Sequence, residues 1–453
     1  MRESRLAGRR VNVISLAASI CILAAGLSCP SRTARLASQP PQGNDELVVF
    51  LTGSELGSLR PCGCSGGQLG GLQKRSAVFN RVPASRRLIV ETGSLVESDH
   101  EQDLMKFRIF FEALRLLNYD VVHLTGQDHE IATRLGLLAD QEAFAIIDDG
   151  ANPPAAFTKR FVSQGRDVTI RVASIRSHGP EAADASTVDI LILERWDPNS
   201  LKTIKQQWPG VQCIVCPSSS DEPQLLSKPG DVPLVFTVGR FGRYVCRLGV
   251  TIQEQTARPV VRFESIPLRA ELRDDPALVQ LHRQYQQLVA QSSLLESYPR
   301  VPLPQKLAFA GSASCKQCHE PAYDKWGTTG HARALAKLKK VGSDRDPECV
   351  ICHVIGLEHE GGFANEEKTP HLAGVGCENC HGPRSEHVLG APQRAGSRVG
   401  PLTSGQTAMR PSRTACTQCH TPEQSGGFAG HEEEYMKKIL HWREPAAAGN
   451  VKN

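Results

Sequence analysis

The chain has 453 residues, more than a single hydrophobic core usually holds, so two or three domains are expected. Lysine and arginine number 52 against 48 aspartates and glutamates, a formal net charge of +4, and this near balance argues against nucleic acid as a partner. Fifteen cysteines are many for a chain of this length and need a chemical role.

Residues 1–29 predict an export signal. Four arginines within the first ten residues precede an apolar run at 11–27 that ends in small residues. Such a run suits a cleaved signal better than a membrane anchor, so the mature chain is expected in the periplasm or elsewhere outside the cytoplasm. The segment ends in "GLSC", which resembles a lipoprotein box, although Gly26 replaces the usual large aliphatic residue. Lipid attachment at Cys29 and simple cleavage nearby both stay open, and a membrane is expected as a partner only through the signal or this lipid.

The next segments predict a linker, a folded domain and a connector. Residues 30–45 are polar and proline-rich, as linkers are. Over 46–265, short apolar runs such as "ELVVFLTG", "RRLIVETG" and "YDVVHLTG" alternate with helical segments, which predicts an α/β layered domain. Residues 266–310 continue with a helix that is apolar on one face and then with a proline-rich stretch, and they are interpreted as a connector.

The composition changes again over 311–445, before a short tail at 446–453. Cysteine, histidine, glycine and proline increase, and too few aliphatic side chains remain for an ordinary core. This region carries four pentapeptides of one form: "CKQCH" (Cys315, Cys318, His319), "CVICH" (Cys349, Cys352, His353), "CENCH" (Cys377, Cys380, His381) and "CTQCH" (Cys416, Cys419, His420).

The C-x-x-C-H pattern is the attachment signature of haem c. Two cysteines three residues apart lie on one face of a helical turn, where each can form a thioether with a haem vinyl group, and the next histidine reaches the iron as proximal ligand. Zinc sites and disulfides also use paired cysteines, but neither gives a role to the histidine that follows every pair. The sequence therefore predicts four covalent haems c, with proximal ligands His319, His353, His381 and His420.

The same region resembles the tetrahaem cytochrome c family of ammonia-oxidising bacteria, in stretches such as "GSASCKQCH", "GVGCENCHGP" and "CTQCHTPE". The resemblance implies a mostly helical fold with haems stacked in close pairs. It also implies distal iron ligands at His331, His387 and His441, and one haem that lacks a distal histidine.

Other histidines of this region are interpreted from their position in the chain. His387 follows His381 closely, beyond a Gly-Pro break, so it is expected to ligate a neighbouring haem and not the haem of its own motif. His359 and His371 could supply the missing distal ligand, but they lie in a loop rich in glycine and glutamate, and the favoured interpretation of both, as of His431, is a solvated loop residue.

The region 46–265 resembles, more faintly, the metallophosphoesterase domain of periplasmic 5′-nucleotidases, in stretches such as "LGGLQKRSAVFNRV" and "ALRLLNYDVVHLTGQDHE". That family holds two metal ions with a D-x-H after the first strand, a G-D, a G-N-H-E and later histidines. Here the first strand ends without D-x-H, and Ser94 stands where the aspartate of G-D is expected. Asp128, His129 and Glu130 alone cannot build a two-metal site, so the domain is expected to be an inactive phosphoesterase fold.

Five further cysteines lie in the α/β region. Cys62 and Cys64 are one residue apart in a glycine-rich loop, where they could bind a metal, form a strained disulfide, exchange thiols or only stabilise the loop. Cys213, Cys216 and Cys246 lie in strand-like runs and are expected to be buried core residues.

The favoured interpretation is a multihaem electron-transfer protein outside the cytoplasm that exchanges electrons with redox partner proteins. One alternative is a redox enzyme that acts on a small nitrogen or sulfur compound, at a haem with an open coordination position or at the Cys62/Cys64 pair. Another is a phosphoesterase tethered to a cytochrome.

Overall fold

The computed structural model describes residues 46–61, 68–139, 142–148, 155–175, 186–228, 230–253, 259–304, 307–394, 413–421, 424–425 and 427–441. The predicted signal with Cys29, the predicted linker and tail, and the Cys62/Cys64 pair lie outside these residues. Within them, no helix combines the length and the apolar character that crossing a membrane requires.

Two β-sheets form the first part of the described chain. Their strands are β1 (Leu47–Thr52), β2 (Arg87–Glu91), β3 (Val121–Leu124), β4 (Ala145–Asp148), β5 (Ala156–Ser163), β6 (Arg166–Ser174), β7 (Thr187–Ile192), β8 (Val211–Cys216), β9 (Leu234–Thr237), β10 (Tyr244–Ile252) and β11 (Pro259–Pro267). The first sheet has the order β11-β10-β1-β2-β3-β4, with β1 to β4 parallel, and the second has the order β5-β6-β7-β8-β9, with β6 to β9 parallel.

The helices of this part are α1 (Ser76–Phe79), α2 (Glu101–Leu116), α3 (Gly126–Arg134), α4 (Leu201–Gln207) and α5 (Pro276–Gln291). Helix α5 begins where Asp275 accepts a hydrogen bond from the backbone N–H of Ala277 and Pro276 fixes the first turn. Its buried face, which includes Leu281 and Tyr285, packs against α2.

The two sheets and their helices form four layers, which follow from the alternation of side chains along each strand. Leu47, Val49 and Leu51 of β1 lie between the two sheets, whereas Val48 and Phe50 face the helices, so both faces of this strand are buried. Helices α2 and α5 cover the outer face of the first sheet, and α4 covers that of the second. The arrangement is helix, sheet, sheet, helix, and it confirms the predicted α/β layered fold.

The region from Ser312 to His441 is built, in its described residues, from short helices joined by turns. The α-helices are α6 (Glu320–Gly327), α7 (Ala334–Val341), α8 (Pro347–Val350), α9 (Cys377–His381), α10 (Ser385–Arg394), α11 (Arg413–Thr417) and α12 (Glu432–Ile439). A small apolar cluster around Leu335, Val350 and Phe363 holds α7 and α8 together. The mostly helical character that the family resemblance implied is thus present.

Candidate haem-binding centres

Each C-x-x-C-H motif folds as a tight turn. In the first and fourth motifs the backbone N–H of the histidine donates to the carbonyl of the first cysteine, His319 to Cys315 and His420 to Cys416, both at 2.9 Å. The third motif forms α9 itself, and the second runs on from α8. These turns bring two thiols and an imidazole together, as attachment of one haem requires.

Three of the four motif histidines face a second histidine at the same distance. The ring centroids are 6.1 Å apart in each of the pairs His319–His387, His331–His420 and His381–His441. Two imidazole nitrogens bound at about 2 Å on opposite sides of one metal place their ring centroids about 6 Å apart. The pairs therefore fit a haem iron between the two rings.

Three histidines of this region, two motif histidines and one expected distal ligand, have one ring nitrogen in a hydrogen bond. His353 Nδ1 lies 2.8 Å from the carbonyl oxygen of Ala334, His420 Nδ1 lies 3.0 Å from Ser425 Oγ, and His441 Nδ1 lies 3.0 Å from the carbonyl oxygen of Ile439. Histidines that ligate metals usually donate their other ring N–H in this way, which fixes the orientation and leaves Nε2 for the metal. The Nδ1 contacts are thus of the kind that histidines bound to metals make.

Burial favours the neutral form of the same imidazoles. It lowers the pKa of His353 and of His420, and it lowers the pKa of His331, which the nearby His420 lowers further. A histidine must be neutral to bind a metal, so these environments suit ligands of an iron.

None of the eleven cysteines in the described residues forms a disulfide. Thiols of different motifs lie side by side: Cys315 of the first motif hydrogen-bonds Cys377 of the third, and Cys352 of the second hydrogen-bonds Cys419 of the fourth. The hydrogen bond from Cys315 lowers the pKa of Cys377 to about 6. The first motif is therefore next to the third, and the second is next to the fourth.

A further contact links the third and fourth motifs. Helix α9 packs beside α11. Burial is the largest cause of the raised pKa of the Cys380 thiol, and the charge of Cys416 is the next. The interactions between thiols thus link the motifs in the order first, third, fourth, second, which differs from their order in the chain.

Glu378 is a positioning residue that the sequence analysis did not identify. It is one of the two variable residues of the third motif, yet it is only 3% exposed. Its carboxylate accepts hydrogen bonds from the backbone N–H groups of Ala310 at 3.0 Å, Gly311 at 2.8 Å and Arg384 at 2.8 Å. These hydrogen bonds hold the third motif against the segment that leads into the first. The sequence does not show this role, because a solvent-exposed acidic residue in a turn would look the same.

The histidines predicted to lie in loops have varied surroundings. His371 and His431 are exposed, whereas His359 is partly buried, with its ring centroid 6.0 Å from that of Phe309.

In the α/β region, Asp128 and His129, which resemble metal ligands in the sequence, make hydrogen bonds or ion pairs with other protein groups. The carboxylate of Asp128 accepts hydrogen bonds from the backbone N–H groups of Ser94 at 2.7 Å and Leu95 at 3.0 Å and from the Thr125 hydroxyl at 2.7 Å. His129 contacts the buried carboxylate of Asp148. Across the described residues, no group of three or more histidine, cysteine or acidic side chains is placed to hold a metal ion.

A cavity of about 460 Å³ opens where the parallel strands end, lined by polar residues that include Thr125, Ser218 and Arg240. The remaining described cysteines of this region, Cys213, Cys216 and Cys246, are buried in β8 and β10, as expected. Burial raises the pKa of all three thiols.

Comparison with known proteins covers both regions of the chain. In solved structures, the calcineurin-like phosphoesterase YfkN from Bacillus subtilis is 10% identical, with a TM-score of 0.41 over 54% of this chain and 97% of that protein. The 5′-nucleotidase precursor from Thermus thermophilus is 14% identical, with a TM-score of 0.41 over 66% of this chain and 68% of that protein.

The haem-motif region matches a different group of proteins. Cytochrome c-554 from Nitrosomonas europaea is 30% identical over 151 residues, which are 28% of this chain and 63% of the relative. Residues 314–382 match the family described as cytochrome c554 and c-prime. The matched residues carry the first three of the four C-x-x-C-H motifs, and this part of the chain is similar to this family of c-type cytochromes.

Proposed function

We propose that this chain is an extracytoplasmic multihaem cytochrome c that passes electrons through four covalently bound haems. The observation that carries the proposal is the set of three histidine pairs with ring centroids 6.1 Å apart. An iron with an imidazole on each side can alternate between the ferric and ferrous states without exchanging a ligand, which suits electron transfer.

The ring pairs support one assignment of the ligands in this proposal. Each motif holds one haem through two thioethers, with the motif histidine as proximal ligand. Because its ring centroid lies 6.1 Å from that of His319, His387 serves the haem of the first motif in this proposal. That His387 serves a neighbouring haem stays a prediction. His331 and His441 serve the haems of the fourth and third motifs, beside His420 and His381 respectively.

The spatial order of the motifs supports a path for electrons. In the order first, third, fourth, second, each motif has a thiol that hydrogen-bonds a thiol of the next motif or shifts its pKa. The haems attached to neighbouring motifs would therefore lie close together. An electron that enters at either end of this row can move between neighbouring irons, each of which takes up and releases one electron without making or breaking a bond. Redox partner proteins would supply and accept the electrons at the two ends.

The α/β region has a supporting role in this proposal and not a hydrolytic one. The carboxylate that most resembles a metal ligand, that of Asp128, holds two backbone N–H groups and a hydroxyl.

The haem content of the full-length protein tests the proposal. Protein produced with a haem-attachment system should carry four covalent haems per chain, measured by mass and by the pyridine haemochrome spectrum. Replacing both cysteines of any one motif with alanine should remove one haem, whereas Cys216→Ala, in a C-x-x-C that no histidine follows, should leave four. A chain that binds zinc at these motifs, or that carries no covalent haem, would overturn the proposal.

A further inference from the structure

A buried polar network joins the α/β region to the second haem motif. Gln102 of α2 donates through Nε2 to the hydroxyl of Tyr285 in α5 and to Oδ1 of Asp346, both at 2.8 Å. The hydroxyl of Tyr285 donates to the other carboxylate oxygen of Asp346 at 3.2 Å. Tyr285 is 4% exposed and Asp346 is 8% exposed, so these bonds are shielded from water.

Lys106 extends the network one turn further along α2. Its side chain is 7% exposed and pairs with the carboxylate of Glu348, while Asp103 lies 3.5 Å from its Nζ. Burial of Lys106 lowers its pKa, but the attraction of Glu348 and then of Asp103 outweighs this effect and raises it. Lys106 therefore carries a full positive charge.

Asp346 and Glu348 are the residues that begin the second motif's helix. The side chain of Asp346 accepts a hydrogen bond from the backbone N–H of Glu348 at 3.0 Å, and its carbonyl accepts those of Cys349 at 3.0 Å and Val350 at 2.8 Å. One turn later, the N–H of His353 donates to the carbonyl of Val350 at 2.8 Å. Residues of α2 and α5 thus hold, through one continuous series of bonds, the turn that carries the attachment cysteine Cys349 and the proximal histidine.

An iron bound at the second motif would interact with the charges of this network. Reduction of a haem adds one electron to the iron, so nearby negative charge favours the ferric state and nearby positive charge favours the ferrous state. The negative charges of Glu348, Asp103 and Asp346 all act on a single ammonium group, that of Lys106. The Lys106 side chain itself is only 7% exposed, and its removal leaves these carboxylates without a positive partner.

We propose that Lys106 is a positioning residue of the α/β region that raises the reduction potential of the haem attached at Cys349 and Cys352. The inference rests on the proposed function, because it assumes a haem at the second motif. It gives the α/β region a part in electron transfer: its helix α2 supplies the charge that makes this haem easier to reduce.

A spectroscopic redox titration of the full-length haem-loaded protein tests the proposal. Lys106→Met should lower the midpoint potential of one of the four one-electron steps and leave the other three in place, and Lys106→Arg, which keeps the charge, should restore it. The matched control is Lys159→Met, which removes a partly buried lysine paired with Asp120 at 2.6 Å elsewhere in the α/β region. This control should leave all four steps unchanged.

A second variant covers the case in which Lys106→Met does not fold. Glu348 has an exposed side chain, so Glu348→Gln should fold, and the loss of its negative charge should raise the same midpoint potential. Haem-loaded variants in which all four steps stay in place, or in which all shift together, would overturn the inference and leave the proposed function standing. A wild-type chain without covalent haem would overturn the proposed function first.

Discussion

The imidazole rings of His319 and His387 face each other with centroids 6.1 Å apart and an angle of 29° between their planes, although one belongs to the first motif and the other to α10, which follows the third. The pairing brings distant parts of the chain together, and under the proposed function one iron would lie between the two rings.

Replacing His387 with alanine should leave the first haem with a single histidine ligand. We expect His387→Ala to keep four covalent haems, because no cysteine is altered, and to convert one of them from a low-spin to a high-spin form. Electron paramagnetic resonance and the visible spectrum of the oxidised protein measure this change.

His371→Ala is the matched control for His387→Ala, because His371 is also an exposed histidine of this region and is not one of the predicted ligands. Its spectrum should equal that of the wild type. If His387→Ala also keeps the wild-type spectrum, His387 is not an iron ligand.

The three ring pairs also predict how the reduced protein responds to carbon monoxide. Irons with an imidazole on both sides have no position for a further ligand, so carbon monoxide should change the Soret absorbance of one haem in four at most. In His387→Ala one additional haem should respond. A wild-type protein in which two or more haems bind carbon monoxide would contradict the pairing.

The sequence can predict haem-attachment sites because their chemistry is local. Two cysteines and a histidine within five residues define each attachment site, whatever surrounds it. The partner of each distal histidine is not predictable in this way, since the contact of His331 with His420 or of His441 with His381 depends on how separate turns pack. The resemblance to a family supplied the distal residues, and only the structure pairs them.

Glu378 should be far more sensitive to substitution than its place in a variable position of C-x-x-C-H indicates. Glu378→Ala removes the acceptor of three backbone N–H groups, and the loss of hydrogen bonds to a buried charged group should lower the free energy of unfolding by about 2–4 kcal/mol. Denaturant unfolding of the haem-loaded protein measures this loss.

Lys316→Ala is the matched control, because Lys316 holds the corresponding position of the first motif and is exposed. It should change the free energy of unfolding by no more than about 0.5 kcal/mol. Equal effects of the two substitutions would show that the Glu378 hydrogen bonds do not hold the two motifs together.

The network between the α/β region and the second motif was not predictable from the sequence. Gln102, Asp103 and Lys106 lie near the start of an amphipathic helix, where polar residues are normally solvated. Their burial depends on contact with a loop more than two hundred residues later, as for Gln102 and Asp346, whose sequence separation is 244. The hydrophobic pattern places α2 against the first sheet but does not show what covers its polar side.

The α/β region should not hydrolyse phosphate esters. We expect no turnover of a generic phosphate ester with added manganese, because the carboxylate of Asp128 is occupied by backbone donors. Asp128→Ala should instead lower the stability of the region, by about 1–3 kcal/mol, through loss of these bonds and of the cap that begins α3. Hydrolysis that depends on the metal and disappears in Asp128→Ala would support the tethered phosphoesterase instead.

A buried pair of carboxylates around Arg75 should make the stability of the α/β region depend on pH. Glu55 and Glu91 both contact the Arg75 guanidinium, and all three are fully buried. Burial, and then the charge of Glu55, raises the pKa of Glu91 from 4.5 to about 8, although Arg75 and the Thr52 hydroxyl act in the opposite direction.

Because the pKa of Glu91 is raised on folding, its stabilising contribution is fully present below about pH 4.5 and is lost as the pH rises through about 8. Between these values the free energy of unfolding should fall by at most about 1.4 kcal/mol per pH unit on account of this group. Glu91→Gln, which stays neutral, should flatten the profile measured by denaturant unfolding from pH 5 to 9. Glu97→Gln, at an exposed position nearby in the chain, should leave the slope as in the wild type. A wild-type profile that is flat or rises with pH over this range, with the same slope in Glu91→Gln, would mean that Glu91 is ionised in the folded protein.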